Sequence, residues 1–157
     1  MLVGIFGSPF PLLPKQLTLI GSFSIGLPGF FLALAPDTSL VKSGFLKRVL
    51  YFSLPAGCTA GIATFIGYEI IRNSAASLDE ARTAATIILL ALGLSILISI
   101  SRPLRSWKIG LAAAMALSYI FIMFNEAGQD FFELNLPPTS AWTTIIICSL
   151  VGSFIVG

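Results

Sequence analysis

The chain has 157 residues, 56% of them hydrophobic and only 10% charged, with a mean hydropathy of +0.96. Soluble domains carry about 25% charged residues, so this composition predicts an integral membrane protein with little soluble mass. The chain has no His, which excludes an imidazole-based catalyst or metal site, and its net charge of +2 comes from basic residues at membrane borders, not from a patch suited to nucleic acid.

Met1 leads directly into apolar residues without a basic n-region, and Pro9 and Pro11 cut the first run, so a secretory leader is not expected. The leader Leu2–Phe6 is too short to span a bilayer. A crossing needs about 20 residues, and five segments approach that length: Leu12–Leu34, Val49–Ile71, Ala84–Ser101 (its helix extending further toward the N-terminus), Ile109–Phe124 and Ala141–Val156. The pattern predicts an all-α, polytopic helical bundle, a single transmembrane domain over residues 1–157. Its first helix is interrupted at Gly26-Leu27-Pro28.

Local signals mark the helix ends. Ser77-Leu78-Asp79-Glu80 has capping-box spacing. Arg102-Pro103 ends the third crossing, and Pro137-Pro138 precedes the fifth. A short interfacial helix is expected near Phe131-Phe132. Pro55 is expected to kink the second helix. Loop 36–48 carries Lys42, Lys47 and Arg48 against Asp37, and loop 102–108 carries Arg102, Arg105 and Lys108 with no acid. The opposite loops hold Asp79, Glu80 and Arg82, then Glu126, Asp130 and Glu133. The positive-inside rule makes loops 36–48 and 102–108 cytoplasmic, and it puts Trp107 and Trp142 at interfaces. A multi-pass protein of the plasma membrane follows.

Few ionisable residues fall at membrane depth. Lys15, Glu69 and Arg72 lie near the outer border, where interfacial anchoring is their ordinary role, and Glu69 and Arg72 are spaced to pair. Cys58 and Cys148 lie in apolar runs and read as small buried hydrophobes. Gly57 and Gly61 have the GxxxG spacing that lets helices approach closely, and Gly110 leads a second small-residue stretch. Ser95, Ser99, Thr143 and Thr144 read as polar contacts between helices.

The interrupted helix is the candidate site. Pro28 has no N–H, so an α-helix there leaves the Ser24 carbonyl without its usual donor. Gly21 and Gly26 ease unwinding. The hydroxyls of Thr18, Ser22 and Ser24 lie within the same few turns. Hydroxyl and carbonyl oxygens suit a hard cation. A Pro kink satisfied by a neighbouring helix explains the same residues equally well. No catalytic residue is found, because the chain lacks a Walker A sequence, a GxSxG elbow and a DKTG phosphorylation sequence.

The run Leu13-Pro14-Lys15-Gln16-Leu17, followed by a small polar stretch and then Gly26-Leu27-Pro28, resembles the sixth transmembrane helix of P-type cation-transporting ATPases. The form SFSIGLPGFFLALAP looks like an actinobacterial-type branch of bacterial, calcium-pump-like members. The resemblance implies that residues 2–6 end the fifth helix and that the next four crossings are helices seven to ten. It implies a fragment without actuator, phosphorylation and nucleotide-binding domains, working with the N-terminal part of a pump, a transported cation and the bilayer. ATP and Mg2+ are then cofactors of the full-length parent. Calcium pumps carry Asn, Thr and Asp in the ligand cluster, where this chain has Gly21, Ser24 and Ile25. Candidate ion-binding positions are therefore Ser24, Ser22 and Gly21, offering hydroxyl or backbone oxygens, with acidic ligands supplied upstream. Two other readings stay open: a self-contained small channel or accessory subunit, and a non-functional remnant.

Overall fold

The fold is an all-α helical membrane bundle. The computed structural model describes residues 9–34, 45–74, 77–100 and 106–156. The leader Leu2–Phe6, Asp37, Lys42, Arg102 and Arg105 lie outside the described residues, as do the side chains of Lys47, Arg48, Trp107 and Lys108. Helix α1 (Pro14–Ile20) passes through a π-helical segment (Gly21–Gly26) into α2 (Leu27–Leu34). Then follow α3 (Phe45–Asn73), α4 (Leu78–Ile100), α5 (Ser106–Phe124), the short α6 (Glu126–Phe132) and α7 (Thr139–Val156).

Two of these helices are individually long and apolar enough to cross a membrane: Leu50–Asn73 and Leu78–Ser99. Segments Ile109–Phe124 and Glu126–Phe132 make a third only if they count as one span bent by 90°, and Thr139–Ile155 is a shorter apolar helix. The helix of the third crossing starts at Leu78, where the capping box placed it. The Glu80 N–H donates to the Ser77 hydroxyl at 3.2 Å, and the Glu80 carboxylate accepts the Ser77 N–H at 2.6 Å. Helix α3 runs through Pro55. Helix α6 forms where a short helix was expected, with Asn125 as its N-cap and Glu133 ending it in the left-handed conformation at φ 53°.

The core joins α3, α4 and α7, around Tyr68, Ile71, Ala84, Ala85, Ile88, Leu92 and Ile145. A second cluster holds Leu19 of α1 against Leu90, Tyr119, Met123 and Leu134. Close approach of the helices depends on other glycines than GxxxG spacing suggests. Gly57, Gly61 and Gly110 are exposed and have open space where a Cβ would sit. Instead Gly67 meets Ile88 and Cys148, and Gly152 meets Leu92. Spacing names a small-residue face but not which face the bundle buries.

The interruption at Gly26-Leu27-Pro28 takes a specific form. The chain does not leave the helix. It slips into π register, and the Leu27 N–H donates to the Ser22 carbonyl five residues back. This register keeps one stripe aimed at the bundle. Gln16, Ile20, Ser24 and Pro28 are all buried. Spaced by four, such a stripe drifts by about 40° per step in an α-helix, or about 120° from residue 16 to residue 28. A π turn of roughly 4.4 residues rotates it back, so Ser24 and Pro28 stay on the inner face. Around them Ile25, Leu27, Phe30, Phe31 and Leu34 are exposed.

Candidate ion site

The N-terminal half of the first run is anchored by polar contacts at one end of the bundle. Gln16 is completely buried. Its Oε1 accepts from the Leu13 N–H and from the Thr86 hydroxyl, both at 3.2 Å, and its Nε2 donates to the Glu133 carbonyl at 3.4 Å. Beside it, Lys15 Nζ pairs with the Glu133 carboxylate at 2.7 Å, with both side chains half exposed. Lys15 is thus ion-paired. The Tyr68 hydroxyl donates to the Pro9 carbonyl at 3.2 Å, and Arg82 Nε donates to the Phe10 carbonyl at 3.2 Å. Glu69 and Arg72 approach to 3.6 Å, as their spacing suggested, and the Arg72 guanidinium lies 6.0 Å from the Tyr68 ring centroid.

Beyond this clasp the π turn presents Ser24 to α4. The Ser24 hydroxyl is buried and has no hydrogen-bond partner among the described residues. Leaving a buried hydroxyl unpaired costs about 1–3 kcal/mol, a cost that the Thr64, Tyr119 and Ser149 hydroxyls share. Its neighbour on α4 is Gly93: a Cβ built there would lie 2.6 Å from the Ser24 Oγ and 2.9 Å from the Ser24 Cβ. Ser22 and Gly21 are half-buried on the same turn. The Ser22 carbonyl is engaged by Leu27, so Ser22 offers its hydroxyl first. Thr18 points elsewhere, its hydroxyl donating to the Pro14 carbonyl at 3.1 Å.

The three sequence-named positions therefore share one turn, and Ser24 alone is both buried and unpaired. Among the described residues no three His, Cys, Asp or Glu side chains gather to hold a metal ion. Asp79, Asp130 and Glu133 instead line an open depression of about 360 Å3 beside the clasp. Elsewhere Ser95 and Ser153 hydrogen-bond between α4 and α7 at 2.7 Å, as expected of a helix contact, whereas the Thr143 hydroxyl donates within α7 to the Ser140 carbonyl. Sequence reasoning missed Gly93. Its signal was a lone glycine inside the apolar run Leu89–Ile98, which usually has a packing or functional reason.

No family model matches the chain, and no solved structure does. Curated relatives do match. The chain is 36% identical over 149 residues to the calcium-transporting ATPase CtpE of Mycolicibacterium smegmatis, a match covering 90% of this chain. It is 33% identical over 148 residues to the protein of the same name from Mycobacterium bovis, covering 92% of this chain, and 32% identical over the same length to that of Mycobacterium tuberculosis. The chain spans only 19% of the length of each of these relatives. Along nearly its whole length, then, this membrane chain is homologous to a segment of bacterial proteins named calcium-transporting ATPases.

Proposed function

We propose that the chain is the C-terminal membrane part of an ATP-driven calcium pump and that the π turn of its first helical run forms one wall of the ion path. The observation that carries this reading is the Ser24 hydroxyl, buried and unpaired on that turn, in a chain homologous to calcium-transporting ATPases. Ser24 is the leading ligand, with Ser22 and Gly21 beside it. Neutral oxygens alone do not offset the desolvation of a divalent ion, so the carboxylates that share the ion come from the rest of the pump. ATP and Mg2+ act in the soluble domains of the parent. Phosphorylation there drives helix movements that alternate access to a midplane site. The protein is multi-pass in the plasma membrane, with loops 36–48 and 102–108 on the cytoplasmic side.

The test is uptake and phosphorylation by the full-length gene product in membrane vesicles, with calcium, magnesium, manganese and monovalent ions in parallel. The expected result is ATP-dependent accumulation of calcium and a phosphoenzyme that needs calcium to form. Replacing Ser24 with Ala is expected to raise the half-saturating calcium concentration about tenfold, the loss of one oxygen ligand at roughly 1.4 kcal/mol. Ion flux without ATP, or a phosphoenzyme indifferent to every ion in the panel, refutes the proposal.

A further inference from the structure

We infer that Gly93 of α4 is a positioning residue for the ion path: its bare backbone is the wall that holds the Ser24 hydroxyl in place, and a side chain there displaces it. This inference rests on the ion-path reading of the π turn. Its own support is steric. A Cβ at Gly93 would meet the Ser24 Oγ at 2.6 Å and the Ser24 Cβ at 2.9 Å, and no other described neighbour comes within 4 Å of that point. The need for glycine at position 93 therefore comes from Ser24 alone.

The contact differs in kind from the other close approaches. At Gly67 and Gly152 the nearest atoms are the ends of Ile88 and Leu92, which can swing to another rotamer. At Gly93 one of them is a Cβ, fixed one bond from the backbone of a π turn. Glycine inside a helix is less favourable than alanine, so glycine here needs a compensating reason. Gly93 also supplies no side-chain donor to Ser24. The hydroxyl is pressed against a wall that leaves its lone pairs unclaimed, which is the state a cation ligand needs. A methyl at position 93 forces that hydroxyl away from the wall.

The experiment measures calcium dependence of phosphorylation from ATP in the full-length pump, for Gly93→Ala, Ser24→Gly and the two combined. Displacing the Ser24 hydroxyl costs no more than losing it, so Gly93→Ala is expected to raise the half-saturating calcium concentration by up to about tenfold. The discriminating result is the double variant. With the Ser24 side chain gone the new methyl has room, so the half-saturating concentration stays where Ser24→Gly alone put it. Multiplicative losses in the double variant overturn the inference, because independent sites add in free energy. So does an unchanged half-saturating concentration for Gly93→Ala. If Gly93→Ala does not accumulate in the membrane, the double variant decides: recovery with the calcium dependence of Ser24→Gly supports the steric role, and failure to accumulate overturns it. Absence of any calcium-dependent phosphoenzyme in the unsubstituted pump refutes the ion-path reading itself, a different outcome from a normal pump indifferent to Gly93→Ala.

Discussion

Replacing Gln16 with Ala removes the side chain that fastens the first helical run to the rest of the bundle. The magnitude follows from its partners. Oε1 accepts two hydrogen bonds and Nε2 donates one, and the residue has no exposed surface. The Thr86 hydroxyl keeps an alternative acceptor, the Arg82 carbonyl at 3.0 Å, so its loss is small. The Leu13 N–H and the Glu133 carbonyl lose their side-chain partner, at about 1–1.5 kcal/mol each. The vacated volume adds about 1 kcal/mol, for a total of about 3–4 kcal/mol. Thermal unfolding in detergent micelles, followed by far-ultraviolet circular dichroism, reads this as a lower midpoint. A Gln16→Ala, Thr86→Val double-mutant cycle should give a coupling of about 0.6 kcal/mol, typical of a hydrogen bond between membrane helices. A loss below about 0.5 kcal/mol for Gln16→Ala, within the range of ordinary surface substitutions, would show that the clasp does not anchor the run.

Four further predictions use the same measurement or simple labelling. Lys15→Ala should cost under about 1 kcal/mol and lose even that at high salt, since its ion pair with Glu133 is half exposed. Ser77→Ala should destabilise by about 1 kcal/mol through loss of the cap on α4; no change would place the start of α4 elsewhere. Gly152→Leu should cost about 1–3 kcal/mol, because even its first carbon meets Leu92 at 2.5 Å, whereas Gly57→Ala in the isolated chain should cost nothing. Cys58 is exposed and Cys148 is half-buried against Gly67, so a lipid-soluble maleimide should label Cys58 first, and equal rates would contradict the packing of α3 on α7.

What the sequence made legible was local. The capping box at Ser77–Glu80, the Glu69–Arg72 pair and the short helix ending at Phe132 each depend on residues within one or two turns, so spacing suffices. What it concealed was long-range or a matter of register. Gln16 meets Thr86 and the Glu133 carbonyl across 70 and 117 positions, and nothing in the local pattern pairs them. Pro28 announced an irregularity, but whether the chain breaks, kinks or slips to π register depends on which face α4 and α5 accept. The GxxxG of α3 misled for the same reason: spacing does not say whether that face meets a partner within the chain. For the site, Ser24 was readable as an oxygen beside a proline, while its wall at Gly93 required the packed helices.

The π register places a constraint on the first helical run that no single side chain expresses. Reversion of Gly21–Gly26 to α-helix with one residue removed as well restores the facing, whereas reversion at unchanged length turns everything beyond it by about 100°. The anchored half, fixed by Gln16, would stay put, and Ser24 and Pro28 would swing from α4 toward the exposed side. The register of this segment is therefore as much a part of the site as its hydroxyls. Related chains of the same length should vary in the apolar residues on its outer face long before they lose the π register.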